Sequence, residues 1–183
     1  MLKSVCIFCG SSAGKNPSYT QSAKEVGTLL TKNNLRLIYG GASIGVMAAV
    51  AQTMLDGGGN VVGIMPQSII DLEVAHTGLS EFIKTKDMHE RKKLMHDMSD
   101  LFIALPGGMG TMDELCETIT WAQLDFHKKP TVIFNHNGYY DHFIAHIKQM
   151  NKEGFYSDAH MKLFTVCSNL EDLESFLETL GND

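Results

Sequence analysis

The sequence lacks the features that mark several large classes of protein. No apolar run approaches the ~20 residues that a membrane-spanning helix needs, and the first residues lead directly into a strand-like segment instead of a signal peptide. No block rich in lysine and arginine offsets the formal net charge of -6, which argues against a nucleic-acid binder held by phosphate contacts. We therefore expect a cytoplasmic protein that has neither a membrane nor a nucleic acid as its partner.

Cysteine is scarce as well, with four residues at positions 6, 9, 116 and 167. Cys6 and Cys9 have the spacing of a redox or metal pair, but Cys6 falls within a strand pattern, whereas a reactive thiol is expected at a helix N-terminus. No second pair completes a zinc site. His142 and His146 are one helical turn apart, but no glutamate follows the first of them. The sequence predicts buried or loop thiols and implies neither a metal nor a cofactor.

Short apolar runs do alternate with helical patterns along the whole chain. A hydrophobic share of 44% with 20% charged residues is ordinary for a soluble globular protein, and the length suits one domain over residues 1–183. Strands are predicted at 5–8, 35–39, 61–64, 81–84, 101–104, 131–134 and 164–166. Helices are predicted at 17–33, 45–56, 88–97, 111–125, 140–153 and 170–180, and 65–81 is predicted as a loop or lid. This alternation predicts an α/β fold: a single Rossmann-like, doubly wound parallel sheet with helices on both faces.

The most informative stretch is a glycine-rich turn between the strand at 101–104 and the helix that follows. It reads Pro106-Gly107-Gly108-Met109-Gly110-Thr111. Glycine lets a backbone approach a ligand closely, and a helix start offers free N–H groups and a positive dipole end, which together favour phosphate. Asp113 and Glu114 are expected in the first helical turn. They could cap the helix dipole, or one of them could hold a carboxylate against the bound ligand.

Two other predicted strands end in small residues, Gly10-Ser11-Ser12 and Gly40-Gly41-Ala42-Ser43. Ligands of parallel sheets bind at the carboxyl ends of the strands, so three such ends predict a nucleotide-sized ligand that contains phosphate. Residues 10–16 are one residue short of a P-loop and end in Asn16 where Ser or Thr should bind magnesium, and no Gly-x-Gly-x-x-Gly is present. ATP hydrolysis and NAD chemistry are therefore disfavoured.

A second polar cluster, residues 87–93, opens the helix that precedes the central strand. Such a cluster could simply be a solvated helix face. Its position also lets Arg91 lie beside the glycine turn, where a guanidinium could bind phosphate or ribose oxygens in a bidentate manner, or orient Glu114.

These motifs resemble those of the LONELY GUY family, the cytokinin riboside 5′-monophosphate phosphoribohydrolases long mislabelled as lysine decarboxylases. Residues 106–114 match its Pro-Gly-Gly-x-Gly-Thr-x-x-Glu signature, Met88-His89-x-Arg91-Lys92 its second motif, and residues 39–47 its N-terminal glycine segment, in which Ala42 replaces a common third glycine. Residues 9–12 and 120–124 fit too, so the resemblance extends over nearly the whole chain.

The resemblance implies hydrolysis of the N-glycosidic bond of an AMP-like nucleoside 5′-monophosphate, with release of the free base and ribose 5-phosphate. Arg91 and Glu114 would be the catalytic pair, and Glu73 falls where the family has a substrate-contacting glutamate. The full set of expected substrate-binding residues is Gly10, Ser11, Gly40, Gly41, Glu73, Met88, Lys92, Gly107, Gly108, Met109, Gly110, Thr111, Asp113 and Thr120.

Two alternatives stay open at this point. The first is an AMP nucleosidase or a general purine-monophosphate hydrolase, which has the same chemistry with a different base. The second is a non-catalytic nucleotide or cofactor carrier on the same fold. In either case we expect a homodimer, because the helix from Thr111 and its C-terminal end have apolar residues that point in several directions. These are Ile119, Trp121, Ala122, Leu124 and Phe126.

Overall fold

A computed structural model describes residues 2–70 and 75–181. Seven parallel strands form one sheet in the order β4-β3-β2-β1-β5-β6-β7. The strands are β1 Ser4–Phe8, β2 Arg36–Tyr39, β3 Val61–Pro66, β4 Glu81–Thr85, β5 Leu101–Ala104, β6 Thr131–Phe134 and β7 Thr165–Cys167. The α-helices are α1 Ser18–Lys32, α2 Gly45–Asp56, α3 Gln67–Ile70, α4 Met88–Asp97, α5 Met109–Gln123, α6 Asp141–Lys152 and α7 Leu170–Gly181. The predicted doubly wound α/β sheet is confirmed.

Helices cover both faces of the sheet because alternate strand residues point to opposite sides. Val5 and Ile7 of β1 pack in the cluster that includes residues of α1, α2 and α7. Cys6 and Phe8 pack on the other face with Met95 of α4, and a neighbouring cluster on that face joins β5 and β6 to α5 and α6. The central strands are buried on both sides, which explains their nearly continuous apolar runs.

The strand order reverses between β1 and β5, which are neighbours although they are far apart in the sequence. The chain leaves β1 toward β2 on one side and leaves β5 toward β6 on the other, so a crevice opens above their carboxyl ends. The loops that follow the two strands contact each other there, because the Gly10 N–H donates to the Pro106 carbonyl over 3.1 Å. This crevice is where a ligand is expected.

The irregular segment predicted at 65–81 is partly regular. β3 continues to Pro66 because Met65 and Pro66 still pair with Lys84 and Thr85 of β4, and the short helix α3 follows. Residues 71–74 lie outside the described part of the chain. None of the helices in the described ranges is both long and apolar enough to cross a membrane.

Candidate active site

A cavity of about 270 Å³, which we call the main cavity, opens at the strand-order reversal. The loops after β1, β2 and β5 form its walls, together with residues of α3 and α4. Among the described residues its lining consists of Cys9, Gly10, Ser11, Gly40, Met47, Ile69, Met88, Arg91, Gly108, Met109, Gly110, Thr111 and Glu114. The three glycine- or serine-rich strand ends therefore meet in one cavity, as predicted.

Arg91 and Glu114 form an ion pair at the wall of the main cavity. Arg91 Nη1 donates to Glu114 Oε1 over 2.9 Å, with side chains that are 10% and 9% exposed. Arg91 Nε donates to the carbonyl of Ile64 in β3, also over 2.9 Å. The guanidinium is thus held from two sides. Because a buried charge is costly unless it is paired and hydrogen-bonded, this arrangement places a fixed carboxylate at the cavity surface.

Gly40, at the end of β2, makes room for Arg91. A Cβ atom at this position would lie 2.3 Å from Arg91 Nη2 and 3.1 Å from Met47 Sδ. Any larger residue at position 40 would therefore displace the guanidinium from its place over the strand end. The glycine predicted as a ligand contact also serves to position Arg91.

Glu114 lies in the second turn of α5, since the helix begins at Met109 with Gly108 as its N-cap and Met112 N–H donates to the Gly108 carbonyl. The expectation that Asp113 and Glu114 occupy the first turn, where they could cap the dipole, is therefore wrong. Of the three glycines assigned to the turn, Gly110 lies within the helix, whereas Gly108 is its extended N-cap and Gly107 precedes it. The carboxylate of Glu114 is instead aimed across to α4 and Arg91.

Burial raises the pKa of Glu114 above its ordinary value, although the charge of Arg91 lowers it. Like-charge repulsion from Asp113 raises the pKa of Glu114 further. A carboxylate with a raised pKa is a better proton acceptor than a free glutamate. Glu114 is thus suited to general-base chemistry.

The glycine turn has four backbone N–H groups that donate no hydrogen bond within the described part of the chain. They belong to Gly108, Met109, Gly110 and Thr111, and such free donors are normal for the first turn of a helix. Gly107 cannot be replaced without a rearrangement, since its Cβ would lie 2.1 Å from Thr111 Oγ1 and 2.7 Å from Gly10 N. The free donors and the positive helix end are suited to binding an anion at the wall of the main cavity.

Five of the predicted site residues that the structure describes do not line the main cavity: Gly41, Lys92, Gly107, Asp113 and Thr120. Lys92 bridges Asp113 and Glu117 at 3.2 and 3.1 Å and so ties α4 to α5. Gly41 is buried with a φ of 84°, and its carbonyl accepts from His76 N–H. Thr120 is exposed two turns further along α5, and its hydroxyl donates to the carbonyl of Cys116.

Gly107 is half-buried and absent from the lining, and Asp113 is exposed and pairs with Lys92. Glu73 lies outside the described residues. The remaining predicted residues are brought together in the main cavity, where Cys9, Met47 and Ile69 join them although we had not predicted them as contacts.

Two tyrosines that the sequence analysis missed hold the glycine turn from behind. Tyr139 donates its hydroxyl to the Gly107 carbonyl over 2.5 Å, and Tyr140 donates to the Leu105 carbonyl over 2.7 Å. Both follow β6, the strand next to β5, so the Gly-Tyr-Tyr at 138–140 was a possible signal. A second cavity of about 280 Å³, the tyrosine cavity, lies beside Tyr139 and shares Gly10, Ser11 and Gly108 with the main cavity.

Cys6 and Cys9, which have the spacing of a redox or metal pair, are both buried. Burial raises the pKa of both Cys6 and Cys9, so these thiols stay protonated at neutral pH and Cys6 and Cys9 do not form a reactive pair. Within residues 2–70 and 75–181, no group of three or more His, Cys, Asp or Glu side chains is arranged to hold a metal ion.

Comparison with known sequences gives a consistent picture. A family model described as "Possible lysine decarboxylase" matches residues 47–176. The chain is 44% identical over 170 residues to a cytokinin riboside 5′-monophosphate phosphoribohydrolase of Rhodococcoides fascians. The aligned region covers 92% of this chain and 86% of the relative. The chain is 43% identical over 176 residues to such a protein of Arabidopsis thaliana, covering 96% of this chain and 77% of the relative.

Solved structures with the same fold are more distant in sequence. The molybdenum cofactor carrier protein of Chlamydomonas reinhardtii superposes with a TM-score of 0.74 at 19% identity, covering 100% of this chain and 99% of the other. The molybdenum cofactor binding protein of Rippkaea orientalis gives 0.71 at 19% identity, covering 98% of each chain. These likenesses establish the fold alone. The match of the family model and the identity with the curated relatives show that the chain belongs to the LONELY GUY family, whose family model still has the description of a possible lysine decarboxylase.

Proposed function

We propose that this protein hydrolyses the N-glycosidic bond of cytokinin nucleoside 5′-monophosphates and releases the free base and ribose 5-phosphate. The observation that carries the proposal is the buried Arg91–Glu114 pair, which lines the same cavity as the free N–H groups of the α5 N-terminus. The curated relatives that this chain matches at 41–44% identity are named for the same reaction.

The reaction passes through an oxocarbenium-like state, as in the hydrolysis of glycosides. In the proposed mechanism Glu114 accepts a proton from a water molecule while the water oxygen bonds to C1′ and the bond from C1′ to the base nitrogen breaks. The carboxylate also stabilises the positive charge that develops on the ribose. The departing nitrogen gains a proton, for which Glu73 and solvent are the candidate donors, and Glu114 then returns its proton to solvent.

The 5′-phosphate would bind at the turn formed by residues 107–111. Four N–H groups without acceptors in the described part of the chain and the positive end of a 15-residue helix supply a site for a dianion. Arg91 would hold a ribose oxygen or the phosphate with the side of its guanidinium that Glu114 and Ile64 do not use. Binding energy from the phosphate would thereby place C1′ against Glu114.

The word decarboxylase in the family description implies pyridoxal phosphate, which needs a lysine amine to form a Schiff base. No lysine is among the described residues that line the main cavity. Lys92, next to Arg91 in the sequence, is engaged by Asp113 and Glu117. These residues do not fit pyridoxal phosphate, and the proposed mechanism has no step that uses it.

The decisive experiment is a comparison of base release from three substrates: AMP, isopentenyl-AMP and isopentenyladenosine. Release that is fastest from isopentenyl-AMP and absent from the nucleoside would support the proposal. Equal rates with AMP and isopentenyl-AMP would make the protein a general purine-monophosphate hydrolase. Binding of both monophosphates without any release of base would make it a carrier.

The proposal includes a homodimer. Leu124 and Phe126, directly after α5, are 55% and 72% exposed, while Ile119 and Ala122 are buried within the chain. Two large exposed apolar side chains so close in the sequence are typical of an interface, and a twofold dimer is the commonest solution. We also propose a cytoplasmic location, since all four cysteines are free, as is usual in a reducing compartment.

A further inference from the structure

We propose that Tyr139 is a positioning residue for the substrate phosphate, because it fixes the Gly107–Gly108 peptide and thereby aims the Gly108 N–H into the main cavity. The inference rests on the proposed function and assigns part of its phosphate specificity to a residue of the β6–α6 connection. Tyr139 itself lines the tyrosine cavity and not the main cavity. It would therefore act through the peptide and not by contact with the reacting atoms.

Three successive carbonyls of the glycine turn are each held by a donor. Tyr140 hydroxyl donates to Leu105, the Gly10 N–H donates to Pro106 over 3.1 Å, and Tyr139 hydroxyl donates to Gly107 over 2.5 Å. The acceptors of the turn are thus occupied from the side that faces β1 and β6. A turn whose carbonyls point away from a cavity does not repel an anion there.

Peptide geometry gives the consequence for the donors. In a trans peptide the C=O of one residue and the N–H of the next point in opposite directions, and no cis peptide occurs in the described chain. With the Gly107 carbonyl held toward Tyr139, the Gly108 N–H points away from Tyr139. We infer that this direction is toward the main cavity, whose wall includes Gly108 and the first residues of α5 but not Tyr139.

Among the described residues, Tyr139 alone donates to the Gly107 carbonyl, and the glycines on either side offer little resistance to rotation. Gly107 and Gly108 flank the peptide, and neither has a Cβ that would oppose a flip. A Cβ at Gly108 would meet no atom within 4 Å, so the surroundings leave space for movement on that side. A hydrogen bond to the carbonyl also polarises the peptide and strengthens its N–H as a donor.

The ring of Tyr139 is held in place by its aromatic neighbours. Its ring packs edge-on against Tyr19 and Tyr140, with centroid distances of 5.5 and 5.0 Å. The side chain is 40% exposed, so removal of its hydroxyl leaves the core intact. The effect of that change on the turn can be measured without loss of the fold.

The neighbouring tyrosines provide two matched controls. Tyr140 also donates to a carbonyl of the turn, but the peptide that follows Leu105 ends in Pro106 and has no N–H to aim. Tyr19 lines the same tyrosine cavity as Tyr139, and its hydroxyl forms no hydrogen bond with the described residues. The same Tyr→Phe change therefore removes a different group at each position. At Tyr139 it removes the hydrogen bond that orients a peptide, at Tyr140 a buried hydrogen bond that supports the loop, and at Tyr19 a hydroxyl without a hydrogen bond to the described residues.

The test measures kcat and KM for isopentenyl-AMP, and the dissociation constant of ribose 5-phosphate by calorimetry, for wild type, Tyr139→Phe, Tyr140→Phe and Tyr19→Phe. Loss of one hydrogen bond of about 1 kcal/mol predicts that KM and the dissociation constant rise about fivefold in Tyr139→Phe. Its kcat and its melting temperature should stay at the wild-type values. Tyr140→Phe should lower the melting temperature without the rise in the dissociation constant, and Tyr19→Phe should change neither.

The outcomes separate this inference from the proposed function. Unchanged ribose 5-phosphate binding in Tyr139→Phe, with an active wild type, would overturn the role of Tyr139 and leave the hydrolase intact. An equal loss of binding in Tyr139→Phe and Tyr140→Phe would reduce both tyrosines to supports of the loop and overturn it too. A wild type that binds ribose 5-phosphate but releases no base would refute the hydrolase, while the binding comparison would still decide the role of Tyr139. A wild type that binds no ribose 5-phosphate would overturn the phosphate site and this inference with it.

Discussion

Arg91 of α4 and Glu114 of α5 are 23 residues apart in the sequence, yet the guanidinium lies 2.9 Å from the carboxylate and both side chains are almost fully buried. The pair is assembled because α4 and α5 flank β5 on the same face of the sheet, with their contact residues turned toward each other. Both residues line the main cavity.

Glu114→Gln should lower kcat by about a hundredfold or more with little change in KM, because the variant keeps the shape of the side chain but removes the charge that stabilises the transition state. Steady-state kinetics with isopentenyl-AMP provide the measurement. Glu117→Gln is the matched control, since Glu117 lies on the same helix and pairs with Lys92 outside the main cavity. A folded Glu114→Gln protein with near-normal kcat would show that Glu114 is not catalytic.

Arg91→Ala should both lower kcat and raise KM. The change removes a group that we propose binds substrate and leaves Glu114 as a buried carboxylate without its partner, a loss that typically costs about 3–5 kcal/mol of stability. Circular dichroism must first establish that the variant is folded at the assay temperature. If Arg91 acts mainly by orienting Glu114, then the Arg91→Ala/Glu114→Gln double variant should be no less active than either single variant. Multiplicative losses would mean that the two groups act independently.

The activity should fall on the acid side at a pH above the ordinary pKa of a glutamate. Burial raises the pKa of Glu114, so its carboxylate becomes protonated, and unable to accept a proton, before that of a free side chain. A profile of kcat against pH would show this acid limb in the wild type, and the residual activity of Glu114→Gln should lack it. An identical acid limb in both proteins would assign the titration to another group.

The same shift predicts how stability depends on pH. The folded-state pKa of Glu114 is raised, so its contribution to stability is fully present below the unfolded-state pKa and is lost as the pH rises through the folded-state value. The melting temperature of the wild type relative to Glu114→Gln should therefore decline across that window. Thermal denaturation of the two proteins at a series of pH values is the measurement, and a relative melting temperature that increases with pH would contradict the shift.

Gly40→Ala should reduce activity at least tenfold while the protein stays folded, because the new methyl group would lie 2.3 Å from Arg91 Nη2 and force the guanidinium to move, and a small misplacement at such a site can cost on the order of a hundredfold. Gly181→Ala, where a Cβ meets no atom within 4 Å, is the control. Wild-type kinetics in Gly40→Ala would mean that Arg91 can move without loss of function.

Phe126→Glu should convert the proposed dimer to a monomer, since it places a charge in the centre of an apolar contact. Phe155→Glu changes a side chain of similar exposure at the end of α6, 84% against 72%, and should leave the mass unchanged. Light scattering at micromolar concentration measures both. A wild type of monomer mass would refute the dimer directly.

The sequence by itself determined the fold class and most element boundaries, since strand and helix periods are local properties of the chain. The bounds of α2, α4, β5 and β6 agree with the prediction residue for residue. The glycine turn was equally readable, because a close backbone contact, such as that of Gly107 with Gly10, demands glycine. None of its glycines has a positive φ. The exact start of the helix was not readable, and α5 begins two residues earlier than predicted.

Only the tertiary structure decided which polar groups meet. Asp113 and Glu114 are adjacent in the sequence, but one pairs with Lys92 at the surface and the other is buried against Arg91. Lys92 likewise belongs to the motif of Arg91, yet it pairs with Asp113 and Glu117 and does not line the main cavity. The roles of Gly40 and Tyr139 depend on contacts with residues 51 and 32 positions away. Such contacts are fixed by how helices pack across the sheet, and the local pattern of a sequence contains no record of that packing.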